Sequence, residues 1–338
     1  YWPNFMINPL KAYWGYESVN DWGIYAHQYD WLKELFKPVN QIEEADVVFV
    51  PFTLNYYVNT NNLKLVDDLV EFSKVMNKKV FIWEHGDYQI NYKNDYCTFL
   101  KYFSYKSKEA KNDFIMPANM YFDILQQHRN GKLELKNKTK IPSVGFDGIA
   151  TTSIHRVLPI TIRNIYSKIK NVCVGYKYIQ ENILPPMIKR KKILKTIASN
   201  NKIKTDFKYR DKFAVGIVKK DNFAREQYIN SIIKNDYSFC YRGAGNYSMR
   251  FFEVLCLGRI PIFINTNCIL PFEDEINWKE ILIWVEEKDI KHINEIILDY
   301  HNDITEQEFI DRQVYCRELW IKYCSTQGLY KKLYSSMK

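Results

Sequence analysis

The chain has 338 residues, 46% hydrophobic and 26% charged, a balance that excludes a disordered polymer and suffices for two ordinary domains or one large one. Its formal charge is +9 and unevenly placed, with twelve Lys or Arg against two Asp between Met187 and Lys220. Such a basic segment suits nucleic acid, an anionic membrane surface or an anionic substrate, and equally an ordinary solvated helix face. No apolar run approaches the roughly 20 residues of a membrane span, and no signal-peptide pattern is visible.

In chain order, "ADVVFVPF" (45–52) is a continuous apolar run, as expected for a strand covered on both faces. "LVDDLVEFSKVMNKK" reads as an amphipathic helix and "VFIWEHGD" (80–87) as a second buried strand ending in a loop. Strand, helix, strand at this spacing implies a parallel sheet. The polar, lysine-rich "NGKLELKNKTK" then marks a boundary, and "IPSVGFDG" (141–148) opens a second unit.

The alternation repeats in that second unit. A helix is expected from about Ser153 to Lys170, and a basic helix after Pro186 with "KRKKILK" on its outer side. Another helix starts near Asn222, followed by the strand "YSFCYR", a helix from about Tyr247 to Leu257, and the strand "RIPIFIN". Thr305 and Glu308 have the spacing of a capping box and start a final helix. The reading is two α/β domains, residues 1–138 and 139–304, and a helical segment 305–338 that packs back. In open α/β sheets ligands bind beyond the carboxyl ends of the strands. That rule points to the loops after "VFIWE", "SVGF" and "SFCYR".

The last of these loops carries the densest chemistry. Arg242, Gly243, Gly245, Ser248, Arg250 and Glu253 fall within twelve residues of an otherwise apolar stretch. Glycines let backbone N–H groups approach a ligand, and a helix N-terminus offers unpaired donors, which together suit a phosphate. Either arginine can make forked bonds to phosphate oxygens. Arg250 and Glu253 share a helix face, so they form an intrahelical pair or else serve a phosphate and a ribose separately. The full dinucleotide fingerprint G-x-G-x-x-G is absent.

The stretch Arg242–Trp278, "RGAGNYSMRFFEVLCLGRIPIFINTNCILPFEDEINW", resembles the donor-binding region of the exostosin-like glycosyltransferases, glycosyltransferase family 47. The shared elements are the RG-x-G loop, S-x-R-F-x-E, the G-x-I-P strand and LPF followed by I-N-W. "EADVVFVPF", "PSVGFDG" and "TDFKYRDKF" resemble the family more loosely. The chain departs from it at Asn277, where Asp is common, and at Arg259. The resemblance implies the GT-B fold, two Rossmann-like domains with parallel sheets facing a cleft and the nucleotide-sugar donor on the second. It implies inverting transfer to a glycan acceptor from a nucleoside-diphosphate sugar, with UDP the expected nucleotide. No cofactor and no metal are expected, and the sequence contains no D-x-D. Arg242, Gly243, Gly245, Ser248 and Arg250 would surround the phosphates, and Glu253 would hold the ribose.

Inverting transfer needs a base at the acceptor hydroxyl. "WEHGDYQ" supplies Asp87 first and His85 second, with Glu84 beside them and Asp147 as a further candidate. His155 and Arg156 could reach a diphosphate or form an ordinary helix-start pair. Seven cysteines, odd in number and without a CxxC, read as reduced thiols. A sequon at Asn246 lies inside the phosphate loop, where a glycan would block the donor. Both point to a cytoplasmic protein, against the Golgi lumen of eukaryotic family members. Because residue 1 is Tyr rather than Met, removal of a preceding segment is expected. Two rivals stand: a GT-B module that binds nucleotide or glycan without turnover, and a basic nucleic-acid-binding protein. The second lacks any helix-turn-helix, zinc-finger or RNP motif.

Overall fold

The structure is a computed structural model and describes residues 5–14, 26–108, 112–118, 122–174, 178–179, 182–211 and 222–337. The strands are β1 (Val47–Phe49), β2 (Lys79–Trp83), β3 (Gln89–Ile90), β4 (Cys97–Lys101), β5 (Asp113–Ile115), β6 (Ser143–Gly148), β7 (Tyr178–Ile179), β8 (Lys204–Tyr209), β9 (Tyr237–Cys240), β10 (Ile260–Asn265) and β11 (Ile283–Glu286). They build two parallel sheets, β1-β2-β4-β5 and β11-β10-β9-β6-β8, and a short antiparallel pair, β3-β7.

The first sheet runs in chain order, and the helix Leu63–Val75 makes its β1–β2 crossover. Beyond β2 the connections carry β3 and a single 3-10 turn instead of α-helices, so this unit is smaller than a full doubly wound sheet.

The second sheet has the doubly wound order, in which the chain turns outward in both directions from β6. The break in strand order therefore falls between β6 and β9, whose neighbours Val144 and Tyr237 are paired. The six residues of β10, IPIFIN, are all buried between β9 and β11, as a strand covered on both faces requires. Pro261 is tolerated in this central strand because the β10–β11 ladder begins only at Ile262.

Arg259, before β10, is 2% exposed and donates to the carbonyls of Gly258, Ile233 and Glu134 at 2.8–3.2 Å. It thus fastens the linker and the helix Asn222–Lys234 to the second unit. The helix Ile124–Arg129 joins the same core through Ile124 and Leu125. Thr305 and Glu308 form the reciprocal capping box and start the helix Glu306–Leu319. The helix Thr326–Met337 crosses back and buries Leu329, Tyr330 and Leu333 against Ile7, Tyr29 and Trp83 of the first unit.

The loops that follow strands in one sheet meet those of the other. Tyr105 bridges to Cys268, Ile269 N–H donates to Ser104 O at 3.3 Å, and the Phe103 and Tyr247 rings stack at 5.8 Å.

Candidate functional site

The site lies where β6 and β9 part at their carboxyl ends. After β9 the chain turns through Tyr241–Tyr247, with Gly243 N–H donating to Tyr247 O at 2.9 Å, and the eight-residue helix Met249–Cys256 begins. That helix is apolar over most of its surface, and Phe251, Phe252, Val254, Leu255 and Cys256 are buried. Packing therefore fixes its position without help from Arg250 or Glu253. Ser248 stands at its N-cap, and its hydroxyl makes no capping bond. The cap thus supplies no side-chain acceptor to the first-turn N–H groups, of which Phe251 N–H donates to Ser248 O at 3.1 Å.

Arg250 does not pair with Glu253. Its Nη2 donates to Asp147 O, at the end of β6, at 2.6 Å, and its guanidinium lies 4.3 Å from the Phe146 ring centre. Gly148 permits this approach, because a Cβ there would stand 2.7 Å from Arg250 Nη2. Glu253 instead accepts from Arg225 Nη1 at 3.0 Å and from the Tyr228 hydroxyl. A carboxylate has about four acceptor positions, so two directions of Glu253 remain for a further donor.

Arg242 is 9% exposed and held by neutral groups: Nη1 donates to the Tyr105 hydroxyl at 3.0 Å and Nη2 to Ala244 O at 3.1 Å. Its Nε is buried without a partner. Gly243 faces open space, since a Cβ there would meet nothing nearer than Tyr247 O at 3.8 Å. Gly245 has a different role: its Cβ would strike the Tyr247 ring at 2.6 Å, so its small size seats Tyr247 against Phe103.

Sequence reasoning missed four side chains here. Arg190 belongs to the "KRKK" run read as a solvated face, yet it turns inward and donates to Ile149 O at 2.5 Å and Arg242 O at 2.7 Å. It ties the two strand-end loops across the break in strand order. Burial, with Arg250 nearby, pushes its guanidinium down to about 10. Its one signal was an arginine within a lysine run. Arg210 grips the buried carboxylate of Asp147 with Nε and Nη2, the latter at 2.6 Å. Asp147 is therefore neutralised within the chain. Arg225 and Tyr228 sit three residues apart on the helix Asn222–Lys234 and together hold Glu253.

The charges are unbalanced. Five arginines (190, 210, 225, 242 and 250) share two carboxylates, and Arg210 and Arg225 occupy those. Arg190, Arg242 and Arg250 are left with carbonyl and hydroxyl acceptors among the described residues. Three cations confined without a counter-charge are costly unless an anion enters.

Of the first-unit candidates, Asp87 is exposed on the loop after β2 and accepts from the Tyr247 hydroxyl at 3.1 Å, which places it beside the glycine loop. His85 stacks on Tyr102, with ring centres 5.2 Å apart, and burial with Lys11 nearby lowers it to about 4. Glu84 is buried, accepts from Ile90 N–H at 2.6 Å, and is pushed up to about 7 by that burial, with Lys101 opposing. Arg156 pairs with Asp211 at 2.7 Å rather than facing the crevice, while His155 is exposed. The Asn246 side chain is 1% exposed and bound to Thr266, so in the folded chain it offers no attachment point for a glycan. At the two departures noted in the sequence, Arg259 clamps the core and Asn277 Nδ2 donates to Glu280 at 2.6 Å.

Two parallel α/β sheets meeting at their strand ends, with an arginine-lined crevice on the second, define a two-unit α/β protein of GT-B type. Residues 177–299, which contain most of that crevice, match the Exostosin GT47 domain, and over this segment the chain is exostosin-like. The chain is 32% identical over 80 residues to Exostosin-1 of Drosophila melanogaster, covering 23% of this chain and 10% of that protein. It is 34% identical over 70 residues to a probable glucuronosyltransferase of Oryza sativa subsp. japonica, covering 21% and 17%. It is 31% identical, also over 70 residues, to a probable beta-1,4-xylosyltransferase of Arabidopsis thaliana, covering 21% and 17%. The matched segments thus span only a small part of these relatives. Among solved structures, TarM overlaps 78% of this chain and 51% of its own at TM-score 0.35 and 12% identity. A glycosyltransferase from Rickettsia africae overlaps 92% and 87%, also at TM-score 0.35 and 12% identity. No helix among the described residues is long and apolar enough to cross a membrane.

Proposed function

We propose that the protein is an inverting, metal-independent glycosyltransferase that moves a sugar from a nucleoside-diphosphate sugar, with UDP as the nucleotide, to a glycan acceptor. The observation that carries this reading is the cluster of Arg190, Arg242 and Arg250 at the break in strand order, with no carboxylate paired to it among the described residues. A diphosphate supplies the missing charge. Arg242, Arg250, the Gly243 and Gly245 loop, Ser248 and the helix N-terminus bind it, and Glu253 takes the ribose hydroxyls with its two remaining acceptor directions. The guanidinium groups stabilise the leaving diphosphate, the role a metal otherwise performs.

Asp87 is the base. It lies beside the glycine loop and is exposed enough to take a proton from an incoming hydroxyl. His85, stacked on Tyr102 with its Nε2 3.4 Å from the Tyr102 hydroxyl, is the second candidate.

Titration calorimetry of the whole chain with UDP and a panel of nucleotide sugars tests the binding step. The reading fails if no nucleotide binds, or if Arg242→Ala and Arg250→Ala bind as the parent does. Release of UDP in the presence of candidate acceptors, compared with Asp87→Asn, tests the transfer step. Nucleotide binding with no turnover on any acceptor would instead favour a non-catalytic binding module.

A further inference from the structure

The helix Ile154–Val174 follows β6 in the chain, and it exposes the wrong face for a soluble surface. Ile154, Leu158, Ile162, Ile165, Tyr166 and Ile169 are each 40–66% exposed. At 100° per residue these six positions cover an arc of about 120°. Asn164, on the far side, is buried and donates to the carbonyls of Asn182 and Ile183 at 3.3 and 3.1 Å. The helix is thus seated on the second unit by its back while its apolar stripe faces out. Contiguous exposed apolar surface of this kind marks an interaction site.

The charges bordering the stripe identify the partner. Arg163 flanks one edge and Lys168 the other, both exposed, and no Asp or Glu occurs between Ile154 and Val174. A second copy docking face to face would crowd those cations with no acid to receive them. An anionic lipid surface accepts both features at once: the apolar stripe enters the acyl boundary while the flanking cations meet headgroups. We infer that this helix is a peripheral membrane-docking element that lies in the plane of an anionic bilayer.

The test is co-sedimentation of the whole chain with phosphatidylcholine vesicles, with and without roughly a third phosphatidylserine, at low and raised salt. Binding is expected to be about tenfold or more stronger with phosphatidylserine and to weaken as salt rises. Ile162→Glu with Ile169→Glu should lose binding by about tenfold or more while keeping the parent's circular-dichroism melt, because both positions face solvent. Arg163→Glu with Lys168→Glu should remove the phosphatidylserine preference without touching the stripe. The inference is overturned if the chain does not sediment with either vesicle, or if Ile162→Glu with Ile169→Glu binds as the parent does. It is equally overturned if ultracentrifugation shows a dimer that this double substitution dissolves while the parent ignores vesicles. Nucleotide binding plays no part in any of these outcomes.

Discussion

Arg250 and Arg190 both spend their hydrogen bonds on main-chain carbonyls, a neutral environment that leaves each guanidinium charge uncancelled. Arg250→Ala should therefore cost nucleotide affinity and little stability. A charge-assisted bond is worth about 1.5–3 kcal/mol, so UDP binding by calorimetry should weaken about 10- to 100-fold. The nucleotide-free melting temperature should hold, since the substitution relieves crowding at Arg190. A large fall in melting temperature with unchanged affinity would make Arg250 a structural clamp. Two neighbours in the first unit set a pH dependence with opposing signs. Glu84 is raised from 4.5 to about 7, so the folded state holds its proton more tightly and stability falls as pH rises from about 4.5 to 7. His85 is lowered from 6.5 to about 4, so stability rises with pH between about 4 and 6.5. Over their shared window the two largely cancel. Glu84→Gln keeps an acceptor for Ile90 N–H and removes the acid, so urea midpoints should then climb with pH between about 4.5 and 6.5. The contribution removed is about 3 kcal/mol across the full window. A midpoint profile identical to the parent's would show that Glu84 titrates normally in the fold.

Between residue and domain, the end of β6 is the element on which the crevice depends. Gly148 admits the Arg250 guanidinium, and a Cβ would stand 2.7 Å from its Nη2. Gly148→Ala should push that flexible side chain aside and reduce UDP affinity by about as much as Arg250→Ala, while the strand, paired on both sides, remains intact. Affinity equal to the parent's would mean that Arg250 reaches the nucleotide from another position. The crevice loop itself was legible in sequence because its glycines, arginines and helix start are consecutive. The buried strands β2, β6, β9 and β10 were legible because continuous apolar runs admit few other readings. The rest of the site was hidden by distance along the chain. Arg210 and Asp147 are 63 residues apart, Arg225 and Glu253 are 28 apart, and no local pattern joins them. Arg190 was hidden differently: in a run of lysines, a single basic side chain that turns inward has no periodic signature.

At the scale of the whole molecule, the chain closes on itself. The helix Thr326–Met337 lies at the end of the sequence yet completes the core of the first unit, where Leu333 is fully buried and Tyr330 meets Trp31 and Phe36 edge-on. It is also tied to the second unit, since Lys332 pairs with Glu275 and Tyr323, just before the helix, donates to the same carboxylate at 3.1 Å. The helix therefore acts as a strap whose apolar face serves one sheet and whose charges reach the other. Leu333→Ala empties a fully buried site and should cost about 2–5 kcal/mol. Because the lost contacts belong to the first unit, hydrogen exchange should accelerate in β1, β2 and β4 and stay slow in β9 and β10, whose core contains neither Leu333 nor its neighbours. Equal acceleration in both sheets would show that the two units unfold as a single cooperative body. No acceleration in either would mean that the strap contributes nothing to the first core despite its burial. UDP affinity supplies the independent check: the arginines sit on the second unit, so Leu333→Ala should leave it within about twofold of the parent under native conditions.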